Sequence, residues 1–241
     1  MLLLKILLPL LILLLIVIWI ARQLARPFVI LADSIQKLEE GNIEAPELGS
    51  HWNREADVLT RTVMTTIRNF QRQHEQLVYE ANTDVLTGLT NRRMFEETIQ
   101  DWVDQSHHFA ILVIDIDRFK QINDSYGHQI GDVVLQEVAS IIMQQVTPED
   151  VCSRFGGEEF VVLLSNSDLH TAYLKGEQIR MAVEQAKIST ERSVTVSIGI
   201  AVCPFHATVS TELFHLADSA LYQAKEEGRN RTVMIQLLDV K

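Results

Sequence analysis

Three pairs of charged residues have the types and spacing that chemistry on phosphates requires. The pairs are Asp115 and Asp117, Glu158 and Glu159, and Lys225 and Arg229. The first pair ends an apolar run typical of a buried strand, and the second follows two glycines that let a phosphate or ribose approach the backbone. The third has the four-residue spacing that places two side chains on one helix face. Carboxylates that hold Mg²⁺ beside basic side chains indicate phosphoryl or nucleotidyl transfer.

Each pair by itself has a simpler explanation. An aspartate at a strand end can cap the next helix, and two glycines are a common turn whose following glutamates are solvated. A lysine and an arginine near a helix end can simply complement the helix dipole. The coincidence of all three pairs in one acidic region favours a functional site.

Alternating helical and extended patterns begin near residue 83. The predicted helices cover 83–105, 128–145, 167–187 and 211–227, and the predicted strands cover 109–115, 151–154, 159–164, 193–202 and 232–238. The two strands at 151–154 and 159–164 flank the glycines as a hairpin. Mixed elements of this kind predict an α/β (α+β) fold, with a central mixed sheet covered by helices.

The string Arg-Phe-Gly-Gly-Glu-Glu-Phe at 154–160 resembles the signature of the GGDEF diguanylate cyclases in its GGEEF form. Further segments at 84–93, 115–132, 196–201 and 217–230 resemble the other motifs of the family, and the resemblance spans residues 83 to about 235. It implies a domain similar to the palm of polymerases and adenylyl cyclases. It also implies that two GTP molecules are joined into cyclic di-GMP with release of two pyrophosphates, by a homodimer that holds one GTP in each subunit.

The resemblance assigns roles to residues of this sequence. The implied ligands of Mg²⁺, or of Mn²⁺ in its place, are Asp115, the backbone of Ile116, Glu158 and Glu159. The implied catalytic residues are Glu158, which helps to deprotonate the attacking 3′-hydroxyl, and Lys120, which stabilises phosphate charge. The implied substrate-binding residues are Phe119, Asn123, His128, Asp132, Gly156, Gly157, Lys225 and Arg229. Asn123 and Asp132 would contact the guanine edge, whereas His128 could instead cap a helix.

Other positions bear on structure or regulation. Asp117 is expected to be structural or a weak metal contributor, and Asp84 and Arg154 are expected to pair and hold the hairpin. The product-inhibition site of the family has Arg-x-x-Asp, with the arginine nine residues before the first signature glycine. This chain has Thr147 at that position and keeps only Asp150 as a remnant of the site. Strong feedback inhibition is therefore not expected, because no guanidinium fork is present to grip the product.

The first 21 residues predict a transmembrane helix. They are apolar apart from Lys5, and about 20 such residues cross a hydrocarbon core of ~30 Å. Arg22 and Arg26 follow directly, which predicts a single-pass protein of the bacterial inner membrane with its catalytic domain in the cytoplasm. The alternative is a cleaved signal peptide, although no small-residue cleavage site is evident.

Residues 22–75 predict a two-helix relay that resembles a HAMP module, followed by a helical stalk linker at 76–82 and the catalytic domain at 83–241. The second helix carries a seam with steps of three and four residues, which favours a coiled-coil homodimer. Its positions are Leu59, Val63, Thr66, Phe70, His74, Leu77 and Ala81. A plain helical spacer is the alternative. A relay without a sensor segment of its own suggests a fragment of a longer chain, an upstream sensor partner or input through the bilayer.

Charge and cysteine content limit the partners. The formal net charge is −11, and residues 81–241 hold 23 of the 32 acidic residues but 13 of the 21 lysines and arginines. A nucleic-acid polymer would be repelled, so no nucleic-acid partner is expected. Two cysteines cannot form a disulfide framework. The alternative to a cyclase is a catalytically silent module that responds to GTP or cyclic di-GMP.

Overall fold

The computed structural model describes residues 7, 8, 10–22, 25, 29, 54–188 and 193–235. The chain divides into two compact units, Met1–Leu77 and Val78–Lys241.

In the N-terminal unit, residues 10–22 are helical with exposed side chains. Among the described residues, no helix combines the length and the apolar character that a bilayer crossing requires. Residues 1–6 and 9 of the predicted anchor lie outside the described part of the chain, as do residues 23, 24, 26–28 and 30–53 of the predicted relay. The transmembrane and relay assignments therefore remain predictions from sequence.

A 29-residue helix, α1, spans Arg54–Asn82. It joins the second predicted relay helix and the stalk linker without a break. Two seam residues of α1 are largely exposed in the single chain, Phe70 at 70% and Leu77 at 63%. An exposed apolar stripe at this spacing is what a helical partner would cover.

The C-terminal unit is built on a six-stranded mixed sheet in the order β1-β3-β4-β2-β5-β6. The strands are β1 (Thr90–Asn91), β2 (Phe109–Ile116), β3 (Val151–Gly156), β4 (Glu159–Ser165), β5 (Val196–Cys203) and β6 (Thr232–Met234). The central strand β2 is antiparallel to β4 and to β5, whereas β1–β3 and β5–β6 are parallel pairs. The predicted central mixed sheet is confirmed.

Five helices cover the sheet: α2 (Arg92–Asp104), α3 (Phe119–Tyr126), α4 (His128–Gln145), α5 (Leu169–Gln185) and α6 (Ser210–Glu226). Alternate residues of β2 belong to different core clusters, because strand side chains point to opposite faces. Leu112 and Ile114 pack with α4 and α5, and Ile111 and Val113 pack with α2 and α6. The apolar run of β2 is thus buried on both sides, as its sequence predicts.

One prediction about local structure was wrong, and one helix was missed. The helix predicted over 83–105 begins only at Arg92, because the preceding segment forms a turn in which Gly88 has a φ of +73° and Asp84 accepts from the Thr87 amide at 2.9 Å. Asn91 then caps α2 by accepting from the Met94 amide at 3.1 Å. The short helix α3 was not predicted at all, and the last strand is described only over Thr232–Met234.

Candidate active site

Two strands bring the acidic residues to one edge of the sheet. Asp115 on β2 lies directly opposite Glu159 on β4, so both side chains face the α6 side. The amide of Ile116 donates to the carbonyl of Glu158 at 3.3 Å, which fixes the hairpin turn against the end of β2. The predicted metal ligands are therefore adjacent in space.

The pKa values of all three carboxylates are raised. Burial raises the pKa of Asp115, and a hydrogen bond from Lys225 opposes that shift only in part. The pKa values of Glu158 and Glu159 are raised as well. Burial is the larger cause, and the charge of Asp115 is the second. Bringing negative charge together in this way is unfavourable unless a cation neutralises it.

The oxygen donors fit a hard divalent cation such as Mg²⁺, which prefers carboxylate and carbonyl ligands. No described group of three or more His, Cys, Asp or Glu side chains converges in metal-binding geometry. The metal ligands that the sequence implies are not all side chains, because one of them is the backbone carbonyl of Ile116. A cluster of side chains alone would not include it. The raised carboxyl pKa values are the observation that supports the fit, because a bound cation would relieve the repulsion that contributes to them.

The two predicted phosphate-binding cations approach the same aspartate. Lys225 Nζ lies 2.8 Å from Asp115 Oδ2, and the charge of Arg229 also lowers the pKa of Asp115 against the larger effect of burial. Helical spacing was predicted to give these two side chains their common direction. This was wrong, because α6 ends at Glu226. Arg229 lies beyond the helix with a φ of +67°, and its amide donates to the carbonyl of Ala224 at 3.0 Å.

Asp117 has a structural role in this arrangement. Its carboxylate accepts from Ser197 Oγ at 2.6 Å, Thr195 Oγ1 at 2.7 Å and the Asn230 amide at 3.0 Å. A carboxylate with three donors is satisfied without a metal ion.

Helices α3 and α4 form a second part of the site around Asn123. The Asn123 Oδ1 atom is buried and accepts no hydrogen bond from a described residue. A Cβ added at Gly131 would lie 1.9 Å from this atom, so a larger residue there would displace the Asn123 side chain. Sequence reasoning gave Gly131 no role, because this contact depends on how two helices pack. A buried amide oxygen without a donor is suited to a ligand that supplies one.

The other predicted substrate residues differ in what they present. The Phe119 side chain is buried in the core, so only its backbone can face a ligand, whereas Lys120 on the next position is exposed. His128 and Asp132 are exposed on the first turns of α4. The glycines of the hairpin, at 156 and 157, are also exposed, and a Cβ at either position would meet nothing within 4 Å.

The predicted pair of Asp84 and Arg154 is confirmed. Arg154 Nη1 lies 3.1 Å from Asp84 Oδ1, and the same guanidinium donates to the carbonyl of Gly157 at 2.7 Å through Nη2. Although burial opposes the shift, hydrogen bonds from Thr87 and Arg154 hold the pKa of Asp84 below its ordinary value. Arg154 therefore fastens the turn before α2 to the hairpin that carries Glu158.

We expect Asp84→Asn and Arg154→Met to lower the free energy of unfolding of the C-terminal unit by roughly 1–3 kcal/mol each, since each leaves a half-buried charged group without its partner. The double variant should lose clearly less than the sum, because both changes remove one interaction. Thermal unfolding of the full chain measures all four forms. Additive losses would show that the two residues act independently.

The remnant of the product-inhibition motif forms a closed turn. Asp150 Oδ2 accepts from the amide and the hydroxyl of Thr147 at 2.8 and 3.0 Å, and Asp150 Oδ1 accepts from the Ser165 amide at 2.9 Å. Both carboxylate oxygens are thus engaged within the fold. That Asp150 is only a remnant of the inhibition site stays a prediction.

Comparison with known proteins identifies the family. A family profile described as "Diguanylate cyclase, GGDEF domain" matches residues 81–231. The chain is 42% identical over 183 residues to diguanylate cyclase DgcM of Escherichia coli K12, a match that covers 73% of this chain and 44% of DgcM. It is 40% identical over 161 residues to probable diguanylate cyclase DgcT of the same strain, which covers 64% of this chain and 36% of DgcT. The chain therefore spans less than half the length of these relatives.

A solved structure shares the fold. The coiled coil and GGDEF domain of DgcB from Caulobacter crescentus, in complex with c-di-GMP, matches with a TM-score of 0.66 at 28% identity over 75% of this chain and 100% of that one. This likeness and the match of the family profile to well over half of the residues lead to one conclusion. The chain belongs to the GGDEF diguanylate cyclase family.

Proposed function

We propose that this protein is a diguanylate cyclase that condenses two GTP molecules into cyclic di-GMP and two pyrophosphates. The observation that supports this most is the meeting of Asp115, Glu158 and Glu159 at one sheet edge, with Lys225 bonded to Asp115 at 2.8 Å. Nucleotidyl transfer needs carboxylates for a metal ion and cations for the phosphates, and this edge provides both.

Each part of the site has a task in that reaction. Asn123, with its free buried oxygen, accepts from the guanine edge, and the exposed Asp132 on α4 completes the contact. Lys120, Lys225 and Arg229 hold the triphosphate, and the exposed glycines of the hairpin leave room for the nucleotide beside the backbone. Asp115, the Ile116 carbonyl and Glu158 would hold Mg²⁺, which when bound polarises the phosphates and neutralises their charge.

The chemical step is an attack by the 3′-hydroxyl of one GTP on the α-phosphorus of the other. Glu158, whose raised pKa suits a proton acceptor, takes the hydroxyl proton as the new P–O bond forms. The bond between the α-phosphorus and the bridging oxygen breaks, and pyrophosphate leaves with the electron pair while the basic side chains stabilise its charge. A second, reciprocal attack closes the ring.

The described residues provide one nucleotide site per chain, so the reaction needs two chains that face each other. The exposed seam of α1 supports a homodimer, since linking two half-sites raises their effective concentration. We infer from the sequence that residues 1–21 anchor this dimer in the bacterial inner membrane, with the C-terminal unit in the cytoplasm. Carbonate extraction of membranes tests the anchor, because an anchored chain stays in the pellet and a peripheral one is released.

The direct test of function is an assay of the purified full chain with GTP and Mg²⁺, with products separated by chromatography and identified by mass. We expect cyclic di-GMP and two pyrophosphates for each molecule formed, and no product from ATP. GTP binding without any product would overturn the proposal and favour a silent signalling module.

Acidity should control metal binding in a defined direction. The three carboxyl pKa values are raised in the folded chain, so the folded state holds more protons than the unfolded state above the ordinary values of 3.8 for Asp and 4.5 for Glu. Without metal, these groups make the free energy of unfolding fall as pH rises from the ordinary pKa values to the raised values of the folded chain. A cation binds the deprotonated forms and reverses the loss.

We therefore expect Mg²⁺ to raise the melting temperature by several degrees at pH 8 and by little at pH 4.5, since a ligand at 100 times its Kd adds about 2.7 kcal/mol. Differential scanning fluorimetry with and without Mg²⁺ measures this, and Asp115→Asn is the control that should abolish the shift. An equal shift at both pH values, or one that survives in Asp115→Asn, would contradict the assigned metal ligands.

Feedback by the product should be weak in this chain and should increase in Thr147→Arg. The natural residue offers no guanidinium, whereas an arginine at this exposed position can bind a phosphate or guanine in bidentate fashion. We expect cyclic di-GMP to inhibit the variant at a concentration at least about tenfold lower than the concentration that inhibits the natural chain. Thr147→Lys is the control, because it adds charge without the fork. Equal sensitivity of all three forms would count against this explanation.

A further inference from the structure

The turn that carries Arg229 has an unusual backbone. Gly228, Arg229 and Asn230 have successive φ values of +118°, +67° and +47°. Left-handed φ values are unfavourable for most residues other than glycine, although asparagine tolerates them better than most, and they persist where surrounding contacts determine them. Two consecutive non-glycine residues in this region therefore need an explanation in the contacts of the turn.

Asn230 provides most of those contacts. Its amide donates to Asp117 Oδ2 at 3.0 Å, its Oδ1 accepts from Arg180 Nη1 at 2.9 Å, and its Nδ2 donates to Glu184 Oε1 at 2.7 Å. The side chain is thus bonded through both of its polar atoms to α5, and the backbone is bonded to the end of β2. These bonds fix the position of the residue that directly follows Arg229.

Arg180 is the anchor on α5. Its side chain is 13% exposed, and it forms a fork-to-fork pair with Glu177 in which Nε–Oε1 and Nη2–Oε2 are both 3.0 Å. Nη1 is shared between Glu184 Oε2 at 2.8 Å and Asn230. A planar guanidinium with this many fixed donors cannot be replaced by an ammonium group without losing bonds.

The network ends at the catalytic edge, the edge of the sheet that carries Asp115, Glu158 and Glu159. Asp117, which accepts from the Asn230 amide, follows Asp115 by two residues and also accepts from Ser197 on β5 and from Thr195 directly before that strand. The Arg229 amide donates to the carbonyl of Ala224 at 3.0 Å, and the next residue, Lys225, lies 2.8 Å from Asp115. A continuous chain of bonds therefore runs from α5 through the turn to the strand end that bears the metal-binding carboxylate.

We propose that Arg180 and Asn230 are positioning residues for triphosphate binding, which hold the turn in its left-handed conformation so that Arg229 faces the phosphates of GTP. The proposal rests on the proposed function, because it assigns the ligand of Arg229. It makes Arg180, on a helix away from the catalytic edge, a determinant of phosphate affinity without contact to the nucleotide.

The test compares nucleotides with and without phosphates on the full chain. Arg180→Lys keeps the charge and loses the fork, and Asn230→Gly keeps a left-handed backbone accessible while removing both side-chain bonds. We expect each variant to weaken GTP binding at least about tenfold by calorimetry, with guanosine affinity unchanged. Arg72→Lys, a change at an exposed arginine of α1, should alter neither affinity.

Combination with Arg229→Ala decides the mechanism. If Arg180 acts through Arg229, adding Arg180→Lys or Asn230→Gly to Arg229→Ala should cause no further loss of GTP affinity. Additive losses, or equal losses for GTP and guanosine, would overturn the proposal. Binding is measured separately from synthesis, so a chain that binds GTP with this pattern but makes no cyclic di-GMP would contradict the proposed function and not the positioning role.

Discussion

Glu158→Gln is expected to reduce cyclic di-GMP synthesis by at least about 10³-fold, because the change removes both a metal-binding charge and the proton acceptor for the 3′-hydroxyl. The side chain keeps its size, and its backbone carbonyl still accepts from the Ile116 amide. GTP binding should persist in part, since the guanine contacts at Asn123 and the cations are unchanged.

The matched control is Glu149→Gln, the same substitution at an exposed glutamate in the loop before β3. It should leave synthesis within about twofold of the natural chain, since surface substitutions have small effects. Initial rates by chromatography and GTP affinity by calorimetry measure both variants. Substantial synthesis by Glu158→Gln would show that another residue accepts the proton.

Gly199→Ala should be strongly destabilising, with a loss in the free energy of unfolding of roughly 3 kcal/mol. A Cβ at this position in β5 would lie 2.1 Å from the Ala217 carbonyl oxygen and 2.2 Å from the Leu221 amide nitrogen. Both are backbone atoms of α6, which cannot move aside as a flexible side chain can. The helix that carries Lys225 would be pushed off the sheet.

Gly176→Ala is the control for this effect. It is also buried, but its Cβ would meet a side-chain atom, Thr232 Cγ2, at 3.0 Å, and alanine favours the helix α5. Thermal unfolding should show a decrease of roughly 6–12 °C for Gly199→Ala and a far smaller change for Gly176→Ala. Similar melting temperatures for the two variants would mean that α6 adjusts its packing more easily than the structure indicates.

Elements with a strong local pattern were predicted correctly from sequence. The fully apolar run of β2, the helix α4 and the hairpin of β3 and β4 all lie where the pattern places them. The short helix α3 was missed because its eight residues include Asn123, Asp124 and Ser125, which favour turns in isolation. The segment before α2 forms a turn although it reads as helix, because Asp84 bonds locally to Thr87.

The site residues that belong to a sequence motif could be predicted. The contacts that depend on how distant elements pack could not. The pair of Asp84 and Arg154 was expected and is present. The close contact of Gly131 with Asn123, and the bond from Arg180 to a residue 50 positions later, depend on elements distant in sequence. Arg229 lies beyond the end of α6 at Glu226, in a turn with left-handed φ values, which no helical spacing could indicate.

The measurement that tests the central claim most directly is the specific activity of the full chain as a function of its concentration at saturating GTP and Mg²⁺. Mass photometry of the same samples gives the fraction of dimer. Two facing half-sites predict that specific activity rises with the dimer fraction and reaches a plateau when all chains are paired. Constant specific activity at concentrations where the chains are monomeric would contradict the claim that each chain supplies half of the reaction.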